Sequence, residues 1–516
     1  MLYTIGFLAV LGSALGWLFL KTYQLPFANW IGRSFWISLL IYLLGLYFEE
    51  AALLVKLFLM LPLDVAVFIS LLLLFNRYVT KSKIWFTVVA AILLAVKFFF
   101  FDLASDWFKQ NLSTTKDGNT WSSVSLADDG ELLIDLNTQF SQQELFAFCK
   151  KLDVSCRLAF PNIARPENTS LDEFYVIDIP QKRSKDWEKI AKEFQSAGLI
   201  DAFEANELMQ LDLPAAAPTR KTQPDFGLND PYVPQLWGFE VMQVQELFDL
   251  LRNIQPRKVA TIAIVDTGVE SKHEDLQANF HSINADYDTD PVGHGTHCAG
   301  IAAAVSNNGK GIASFSLNNR FVRVTSVRVL NRFGGGTQKD VINGIIEAVD
   351  KGADVISLSL GGPSLDSYQQ AYEEVVKYAS QKGAIVVAAA GNADEDAATF
   401  APANVKGVIA VAAVDENLRK ASFSNRVGSL DMPIAAPGVN ICSTFPNNEY
   451  RFLSGTSMAT PYVAALLGIM KAIRPTLTAA QAYQLLQQTA ADVPDAQQTG
   501  RLIQPGKAVA ALLAWQ

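Results

Sequence analysis

The chain has 516 residues, 50% of them hydrophobic and 18% charged, and is long enough for several domains. Its net charge of −9, without a long basic run, argues against a nucleic-acid-binding protein. The four cysteines, at positions 149, 156, 298 and 442, are too few and scattered for a disulfide-based fold, although Cys149 and Cys156 are near enough in sequence to pair.

Residues 1–104 are predicted to form a helical membrane region. Four apolar stretches lie at 2–20, 35–48, 57–75 and 84–101, and all but the short second one approach the length that crosses a bilayer. A signal peptide is the alternative for the first stretch, but no Lys or Arg precedes it and more apolar stretches follow. A count of three spans rather than four also stays open.

The charged loops predict the orientation of this region. Positive residues flank the first and third connections, namely Lys21, Arg33, Arg77, Lys81 and Lys83. The positive-inside rule places these two loops in the cytoplasm. We therefore expect a multi-pass protein of the plasma or inner membrane, with everything beyond residue 104 outside the cytoplasm.

A polar linker at 105–130 leads to a compact unit at 131–211. Alternating and amphipathic patterns predict strands at 131–137, 154–160, 174–179 and 199–211, and helices at 141–152 and 184–197. This β-α-β-β-α-β order is typical of the ferredoxin-like α+β arrangement, with a generic small domain as the alternative. The following segment, 212–228, is rich in Pro and Ala and is predicted to be a flexible linker.

Residues 229–516 alternate strands and helices, which predicts an α/β domain with a mainly parallel sheet covered on both faces. Its first strand, Val259-Ala-Thr-Ile-Ala-Ile-Val-Asp-Thr-Gly268, is a buried apolar run that ends in a carboxylate. Asp266 is therefore expected at the carboxyl end of the sheet, where open α/β sheets place their ligands. Taken alone, Asp266 would more often cap the next helix.

Histidines are rare in this chain, with four in total, and two lie in Gly293-His-Gly-Thr-His-Cys-Ala-Gly300. A zinc pair is one interpretation of His294 and His297, but the metalloprotease motif H-E-x-x-H needs a Glu where this chain has Gly295. A serine nucleophile needs an adjacent general base, and the glycine-flanked His294 is the better candidate. His297, one turn further, is expected to be packed in the interior.

The third block is Gly455-Thr-Ser-Met-Ala-Thr-Pro461, a glycine turn followed by an apolar helix. Ser457 is expected at the helix N-terminus, where the helix dipole favours developing negative charge. Pro461 is expected in the first turn, where a missing N–H costs little. Alone, a Ser at this position is more often a helix cap than a nucleophile.

Together the blocks D-T-G, H-G-T-H-C-A-G and G-T-S-M-A-T-P, in the order Asp, His, Ser, resemble those of the subtilisin-like serine proteases (subtilases, peptidase S8-like). The resemblance spans about residues 229–514 and implies a serine endopeptidase with Asp266, His294 and Ser457 as its catalytic residues. It implies no metal or other cofactor for the chemistry. The α/β-hydrolases carry their triad in another order and have G-x-S-x-G, which is absent here.

Further blocks match the family's site by resemblance. Residues 386–392 resemble the oxyanion block, which assigns the Asn392 amide as an oxyanion donor beside the backbone N–H of Ser457; alone, Asn392 would be a turn residue. Segments 334–336 and 355–362 resemble the two walls that pair with substrate backbone. The residues that the resemblance assigns to substrate binding are Gly334, Gly335, Ser359, Leu360, Gly361, Ala389 and Gly391.

The resemblance also bears on the rest of the chain. Placed before such a protease, residues 131–211 look like the family's propeptide, which assists folding and blocks the site until it is cut. This predicts a self-inhibited, self-processing precursor whose partners are protein or peptide substrates, the lipid bilayer and its own propeptide. Residues 307–312 resemble a calcium loop of some members, but their side chains carry no carboxylate, so the sequence leaves a structural calcium undecided.

Two other function classes are weighed against an active protease. The first is an inactive pseudoenzyme or scaffold, against which the intact set of Asp266, His294, Asn392 and Ser457 argues. The second is a membrane transporter or sensor with an appended protease. No internal repeat or polar path in residues 1–101 supports it, although regulation through that region stays open.

Overall fold

A computed structural model describes residues 126–127, 130–166, 169–212, 214–217, 226–364 and 369–515. By its internal contacts the chain divides into Met1–Thr120 and Trp121–Gln516, and the description below concerns the second unit. The predicted membrane region at 1–104 and most of the 105–130 linker lie outside the described residues. Within them one helix, Thr456–Ile473, is long and apolar enough to cross a membrane, and it is completely buried in the unit.

The smaller part of the unit is a four-stranded antiparallel sheet with the strand order β2-β3-β1-β4. Its elements follow the expected β-α-β-β-α-β order. The bounds are β1 (Leu132–Leu136), α1 (Gln142–Leu152), β2 (Ser155–Leu158), β3 (Phe174–Asp178), α2 (Trp187–Ser196) and β4 (Ile200–Ala205). The first helix begins with a capping box, in which the Ser141 hydroxyl accepts from Glu144 N and the Glu144 carboxylate accepts from Ser141 N.

Both faces of the central strand β1 are buried, and all five of its residues are shielded from solvent. Leu132 and Ile134 pack with the two helices α1 and α2. Leu133, on the opposite face, packs with Val341 and Ile345 of the larger part. The alternating sides of one strand therefore join two different cores.

The last predicted strand of this part, 199–211, is wrong as a single element. It breaks at Asn206, whose Nδ2 donates to Gly130 O at 2.8 Å and whose Oδ1 accepts from Lys339 N at 3.1 Å. Beyond the break, β5 (Leu208–Gln210) leaves the small sheet and pairs antiparallel with β8 (Gly335–Thr337) of the larger part. A continuous strand pattern thus serves two sheets.

The larger part is built on six parallel strands in the order β14-β13-β11-β9-β6-β7, which confirms the predicted α/β fold. These strands are β6 (Ala260–Asp266), β7 (Val322–Arg328), β9 (Val355–Leu358), β11 (Ile385–Ala389), β13 (Ile409–Val414) and β14 (Pro433–Pro437). The remaining strands are β10 (Gly362–Pro363), β12 (Phe400–Ala401), β15 (Ile441–Phe445) and β16 (Glu449–Leu453).

Helices cover both faces of this sheet. Their bounds are α3 (Trp237–Val241), α4 (Val244–Leu251), α5 (His294–Ala303), α6 (Gln338–Asp350), α7 (Gln370–Gln381), α8 (Thr456–Ile473), α9 (Ala479–Thr489), α10 (Ala496–Thr499) and α11 (Pro505–Ala514). Helix α8 lies directly on the sheet: a Cβ on Gly468 would come 2.8 Å from Val322 Cγ1 and 3.0 Å from Ile262 Cδ1. The small residues of α8 therefore allow the helix and the sheet to approach closely.

Candidate active site

Asp266 is the last residue of β6, and its side chain is fully buried at the carboxyl end of the sheet. Its Oδ1 accepts hydrogen bonds from the backbone N–H of Thr267 at 2.7 Å and from His294 Nδ1 at 2.7 Å. Its Oδ2 lies 2.9 Å from the same His294 nitrogen. The carboxylate therefore holds the imidazole in place with its proton on Nδ1.

His294 is the first residue of α5 and follows a tight glycine turn. Gly293 has a φ of 94°, and a Cβ there would lie 2.2 Å from the Phe445 ring, so no other residue fits without rearrangement. His294 Nε2 is shielded from solvent and has no hydrogen-bond partner within the described part of the chain. With Nδ1 occupied by Asp266, Nε2 is the ring atom left to accept a proton.

Two opposing effects set the pKa of His294. Burial acts to lower it, but the charge of Asp266 and the hydrogen bond that His294 donates to that carboxylate outweigh burial, and the charge of Asp290 adds to the increase. The pKa of His294 is therefore raised above its usual value of 6.5. A proton that arrives on Nε2 is stabilised there, as a general base requires.

Ser457 is the second residue of α8, at the positive end of that helix, and is 5% exposed. Cys298 lies between Ser457 and the other two residues. Its Sγ is 3.5 Å from Ser457 O and within 4.8 Å of a carboxylate oxygen of Asp266 and a ring nitrogen of His294. The Ser457 hydroxyl donates to Ser359 O at 2.8 Å rather than to His294 Nε2. The hydroxyl must leave that carbonyl before it can donate to the imidazole.

Pro461 lies inside α8, beyond the first turn in which the sequence placed it, so that expectation was wrong. A proline has no N–H to donate to the carbonyl four residues earlier, which here is Ser457 O. That carbonyl instead accepts from Ser359 Oγ at 2.9 Å and from Cys298 Sγ at 3.5 Å. The proline is tolerated because side chains from two neighbouring elements replace the missing hydrogen bond.

The orientation of the Asn392 amide follows from its hydrogen bonds. Its Oδ1 accepts from the backbone N–H and the hydroxyl of Thr456, both at 2.9 Å. Its Nδ2 therefore points away from Thr456, and it donates to the backbone carbonyl of Asp212 at 2.7 Å. A carbonyl oxygen thus occupies the position where this amide can stabilise negative charge.

The segment before Asp212 lies beside residues 334–336 as a strand. Gln210 and Met209 pair with Gly335 and Gly336, and Leu211 N donates to Gly334 O at 3.0 Å. The side chain of Met209 is buried in the core of the larger part, with Tyr372 Oη 3.7 Å from its sulfur. Strand addition of this kind is a recurring way for proteins to hold an extended peptide.

Four of the predicted substrate-binding residues contact this strand, Ser457 or the core that holds Met209. Gly334 and Gly335 contact the strand directly. Ser359 contacts Ser457, and Leu360 is buried in the same core as Met209. The other three are Gly361, which precedes β10, Ala389, which ends β11, and Gly391, whose N–H donates to Thr456 Oγ1 at 3.1 Å.

Asp290 is a buried residue of the site that the sequence did not single out. Its Oδ1 accepts from Thr267 Oγ1, Val292 N and Gly293 N at 2.8, 3.1 and 2.8 Å. Its Oδ2 accepts from the N–H and the hydroxyl of Thr296, both at 2.8 Å. It thus ties the start of α5 to the end of β6. An Asp four residues before a helix-opening His was the available signal.

Substitution of Asp290 by Asn is expected to lower kcat/KM about ten- to a hundredfold, because one oxygen becomes an amide donor facing N–H groups and His294 loses its fixed position. Steady-state kinetics on a peptide substrate measures this loss. The exposed Asp286→Asn is the matched control and should be unchanged. Equal activity of Asp290→Asn and the control would show that Asp290 does not position the imidazole.

Within the described residues, one group of three side chains is close enough together to coordinate a metal ion: Asp266, His294 and Cys298. Asp266 is already committed to the His294 Nδ1–H. His297 points elsewhere, with Nε2 3.1 Å from Ile441 O and 3.0 Å from Arg451 O, and burial lowers its pKa to about 3. The pair of histidines expected of a zinc site is therefore not brought together.

The loop 307–312 wraps around two carboxylates supplied by other segments. Asp230 accepts from Asn307 N and Asn308 N at 2.6 and 2.8 Å. Asp275, which is fully buried, accepts from Asn308 Nδ2 at 2.8 Å and Ile312 N at 2.9 Å. Burial raises the pKa of Asp275 to about 7. The loop's own side chains carry no carboxylate, but Asp230 and Asp275 reach it from other segments, and a buried carboxylate beside an amide fits a hard cation.

The larger part of the unit is similar in sequence to known proteins. Residues 257–504 match the sequence profile of the subtilase family, Peptidase_S8. The chain is 46% identical over 248 residues to thermitase of Thermoactinomyces vulgaris, an alignment that covers 47% of this chain and 84% of thermitase. It is 41% identical over 241 residues to subtilisin DY of Bacillus licheniformis, covering 45% of this chain and 84% of that protein.

A solved structure from a study of proteases of Pseudoalteromonas arctica aligns with 55% of this chain and 99% of its own, with 28% identity and a TM-score of 0.49. A thermophilic serine proteinase of Bacillus sp. (strain AK1) is 47% identical over 214 residues, covering 40% of this chain and 51% of that protein. The family profile begins after the small four-stranded part.

Proposed function

Because the chain belongs to the subtilase family and is a serine endopeptidase, we propose that Ser457, His294 and Asp266 carry out its chemistry. We further propose that the small domain holds the protease inactive until it is cut off. The observation that carries both proposals is the carbonyl of Asp212, which accepts a hydrogen bond from Asn392 Nδ2 at 2.7 Å.

In the proposed reaction, Ser457 Oγ attacks the carbonyl carbon of a peptide bond while His294 Nε2 takes the hydroxyl proton. Asp266 keeps the ring oriented and stabilises the imidazolium through its 2.7 Å contact with Nδ1. Asn392 Nδ2 and the backbone N–H of Ser457 donate to the oxyanion. His294 then protonates the departing amine, and water releases the acyl group by the same steps in reverse.

The arrangement of residues 208–212 supports a self-inhibited precursor. These residues lie in the cleft as a substrate strand, with the Asp212 carbonyl at the proposed oxyanion donor. Past this point the chain stays on the protease, since Ala217 N donates to Asn440 Oδ1 at 2.7 Å. We therefore propose the Asp212–Leu213 bond as the one that Ser457 cuts during processing.

We propose that the chain consists of a membrane region at 1–104, a linker at 105–130, the propeptide at 131–211, a processed linker at 212–228 and the protease at 229–516.

The apolar stretches and loop charges of residues 1–104 support a multi-pass anchor with the protease outside the cytoplasm. Alkaline phosphatase fused after residue 110 should then be active. An inactive fusion, with a cytoplasm-dependent reporter working at the same position, would contradict the topology.

We propose that Asp275 and Asn308 hold a structural calcium ion in the loop 307–312. The buried carboxylate supports this, since a cation would stabilise its charged form. The Asn308 amide would have to turn its oxygen toward the ion, because its Nδ2 now faces Asp275. Such an ion would brace the loop and take no part in the reaction.

A fluorophosphonate probe tests the proposed nucleophile directly. After processing, mass spectrometry of the labelled wild type should place the adduct on Ser457, and labelling of His294→Ala should be largely lost because the hydroxyl has no base. An adduct on another serine, or labelling that does not depend on His294, would rule out the assignment.

The interface between propeptide and protease is rich in carboxylates. Glu204 accepts from Ala371 N at 3.1 Å and from Gln338 Nε2 at 3.2 Å, and Asp135 accepts from Gln370 Nε2 at 2.6 Å. Burial raises the pKa of Glu204 to about 8 and that of Asp135 to about 7. The charged neighbours of these two carboxyl groups are also acidic, and their negative charge raises the two pKa values further. They are Glu173, Asp201, Glu207 and Glu374.

Retention of the cut propeptide is therefore expected to weaken as pH rises. Because the pKa values are raised in the complex, the complex holds protons that the separated parts release. The added affinity is therefore complete below the ordinary carboxyl pKa values. It falls as pH rises above them and is fully lost once pH has passed 7 to 8. Each group contributes up to about tenfold in dissociation constant per pH unit.

Gel filtration of the processed protein at pH 6 and pH 8.5 measures this retention. Glu204→Gln, which stays neutral, should flatten the dependence, whereas the exposed Glu188→Gln should leave it unchanged. Tighter retention at pH 8.5 than at pH 6 would contradict the expected sign.

A further inference from the structure

Cys149 and Cys156 meet at one end of the small domain. Cys149 lies in the last turn of α1 and is buried, while Cys156 is the second residue of β2 and is half-buried. The chain between them turns sharply: Asp153 has a left-handed φ of 54°, and Val154 N donates back to Cys149 O at 3.1 Å. This return of the backbone brings the two side chains to the same place.

The two thiols face the same space and are reachable. Both are free thiols, and both residues line a cavity of about 520 Å³. The neighbouring Cys156 thiol and burial raise the pKa of Cys149, whereas the neighbouring Cys149 thiol lowers the pKa of Cys156. Cys156 is thus the better nucleophile, and it is also the more exposed of the two residues.

We propose that Cys149 and Cys156 form a redox pair that closes to a disulfide and thereby stabilises the propeptide domain on the protease. The oxidant is a second disulfide, either of a small thiol such as glutathione or of a disulfide oxidoreductase. Cys156 thiolate attacks it and releases one thiol, and Cys149 then attacks Cys156 Sγ and releases the second. Two cysteine thiols are oxidised and one disulfide is reduced to two thiols, so electrons and protons balance.

The consequence for the domain follows from where the pair lies. The disulfide would join α1 to the edge strand β2, which pairs with β3; β3 pairs with β1, and β1 pairs with β4, the strand that precedes β5. Both cysteines pack in the core of this domain with Leu145 and Ile177. A cross-link there reduces the entropy of the opened domain and so makes its opening rarer. The further conclusion that rarer opening prolongs inhibition of the protease rests on the proposed function. Formation of the disulfide does not depend on that function.

Full-length Ser457→Ala tests the pair without self-digestion. The reduced protein is equilibrated with oxidised glutathione, alkylated with N-ethylmaleimide in denaturant so that the buried thiols also react, and analysed by intact mass and peptide mapping. We expect two of the four cysteines to escape alkylation and to appear as a linked Cys149–Cys156 peptide. Four alkylated thiols, or a different pairing, would overturn the proposal.

Limited trypsin digestion gives the second readout. Cleavage within 131–211 should be about tenfold slower in the oxidised than in the reduced chain. This difference should vanish in Cys156→Ser and persist in Cys442→Ser, which alters a buried cysteine outside the domain. Linked cysteines with equal digestion rates in both states would overturn the stabilising role. Neither readout depends on whether Asp212–Leu213 is the processing site.

Discussion

Replacing Ser457 by Ala is expected to lower kcat/KM for a peptide substrate by about a millionfold, the loss measured when the nucleophile of a subtilisin is removed. Without the hydroxyl, His294 has no proton to take and no acyl intermediate forms. The same change should leave the chain uncut, because the proposed processing uses the same nucleophile. Both effects are read from the purified protein, by kinetics and by its mass on a gel.

The exposed Ser429→Ala is a suitable control, since it also removes a serine hydroxyl hydrogen bond, here to Asp396 at 2.6 Å. It should be processed and active like the wild type. A Ser457→Ala chain that is still cut after Asp212, in a host without other proteases, would show that processing does not depend on this residue.

Replacing Asn392 by Ala is expected to lower kcat about 100- to 1000-fold with little change in KM, the range known for the corresponding donor of a subtilisin. The amide is held by Thr456 through two 2.9 Å hydrogen bonds, so it is aimed before substrate arrives. Its contribution grows as the carbonyl oxygen gains negative charge. The loss should therefore appear in the chemical step.

Single-turnover kinetics separates this from a binding effect, with the exposed Asn417→Ala as the control. The variant should also process its own propeptide more slowly by a similar factor. An increase in KM with kcat unchanged would mean that Asn392 only binds the substrate and is not an oxyanion donor.

The proposed catalytic groups could be located in the sequence because each one lies at the end of a regular element. Asp266 ends a continuous apolar strand, and His294 and Ser457 open helices after glycine turns. Such local patterns locate residues along the chain. They do not give the strand order of the sheet, which depends on contacts between distant segments.

The incorrect predictions also arise from contacts between segments that are distant in the sequence. The strand predicted at 199–211 is interrupted because its second half pairs with Gly335–Thr337, a partner that no local pattern indicates. Asp290 was missed because its five hydrogen bonds arise only when the loop folds around it. Pro461 was placed one turn early because the side chains that replace its hydrogen bond come from other elements.

The N-terminus of the mature protease is the most direct test of whether the same active site first cleaves its own chain and then other peptides. Mass spectrometry of the purified wild type should find a fragment that begins at Leu213, and this fragment should be absent from Ser457→Ala. A wild-type chain that hydrolyses peptides while it remains uncut, or a first cut far from Asp212, would contradict the account.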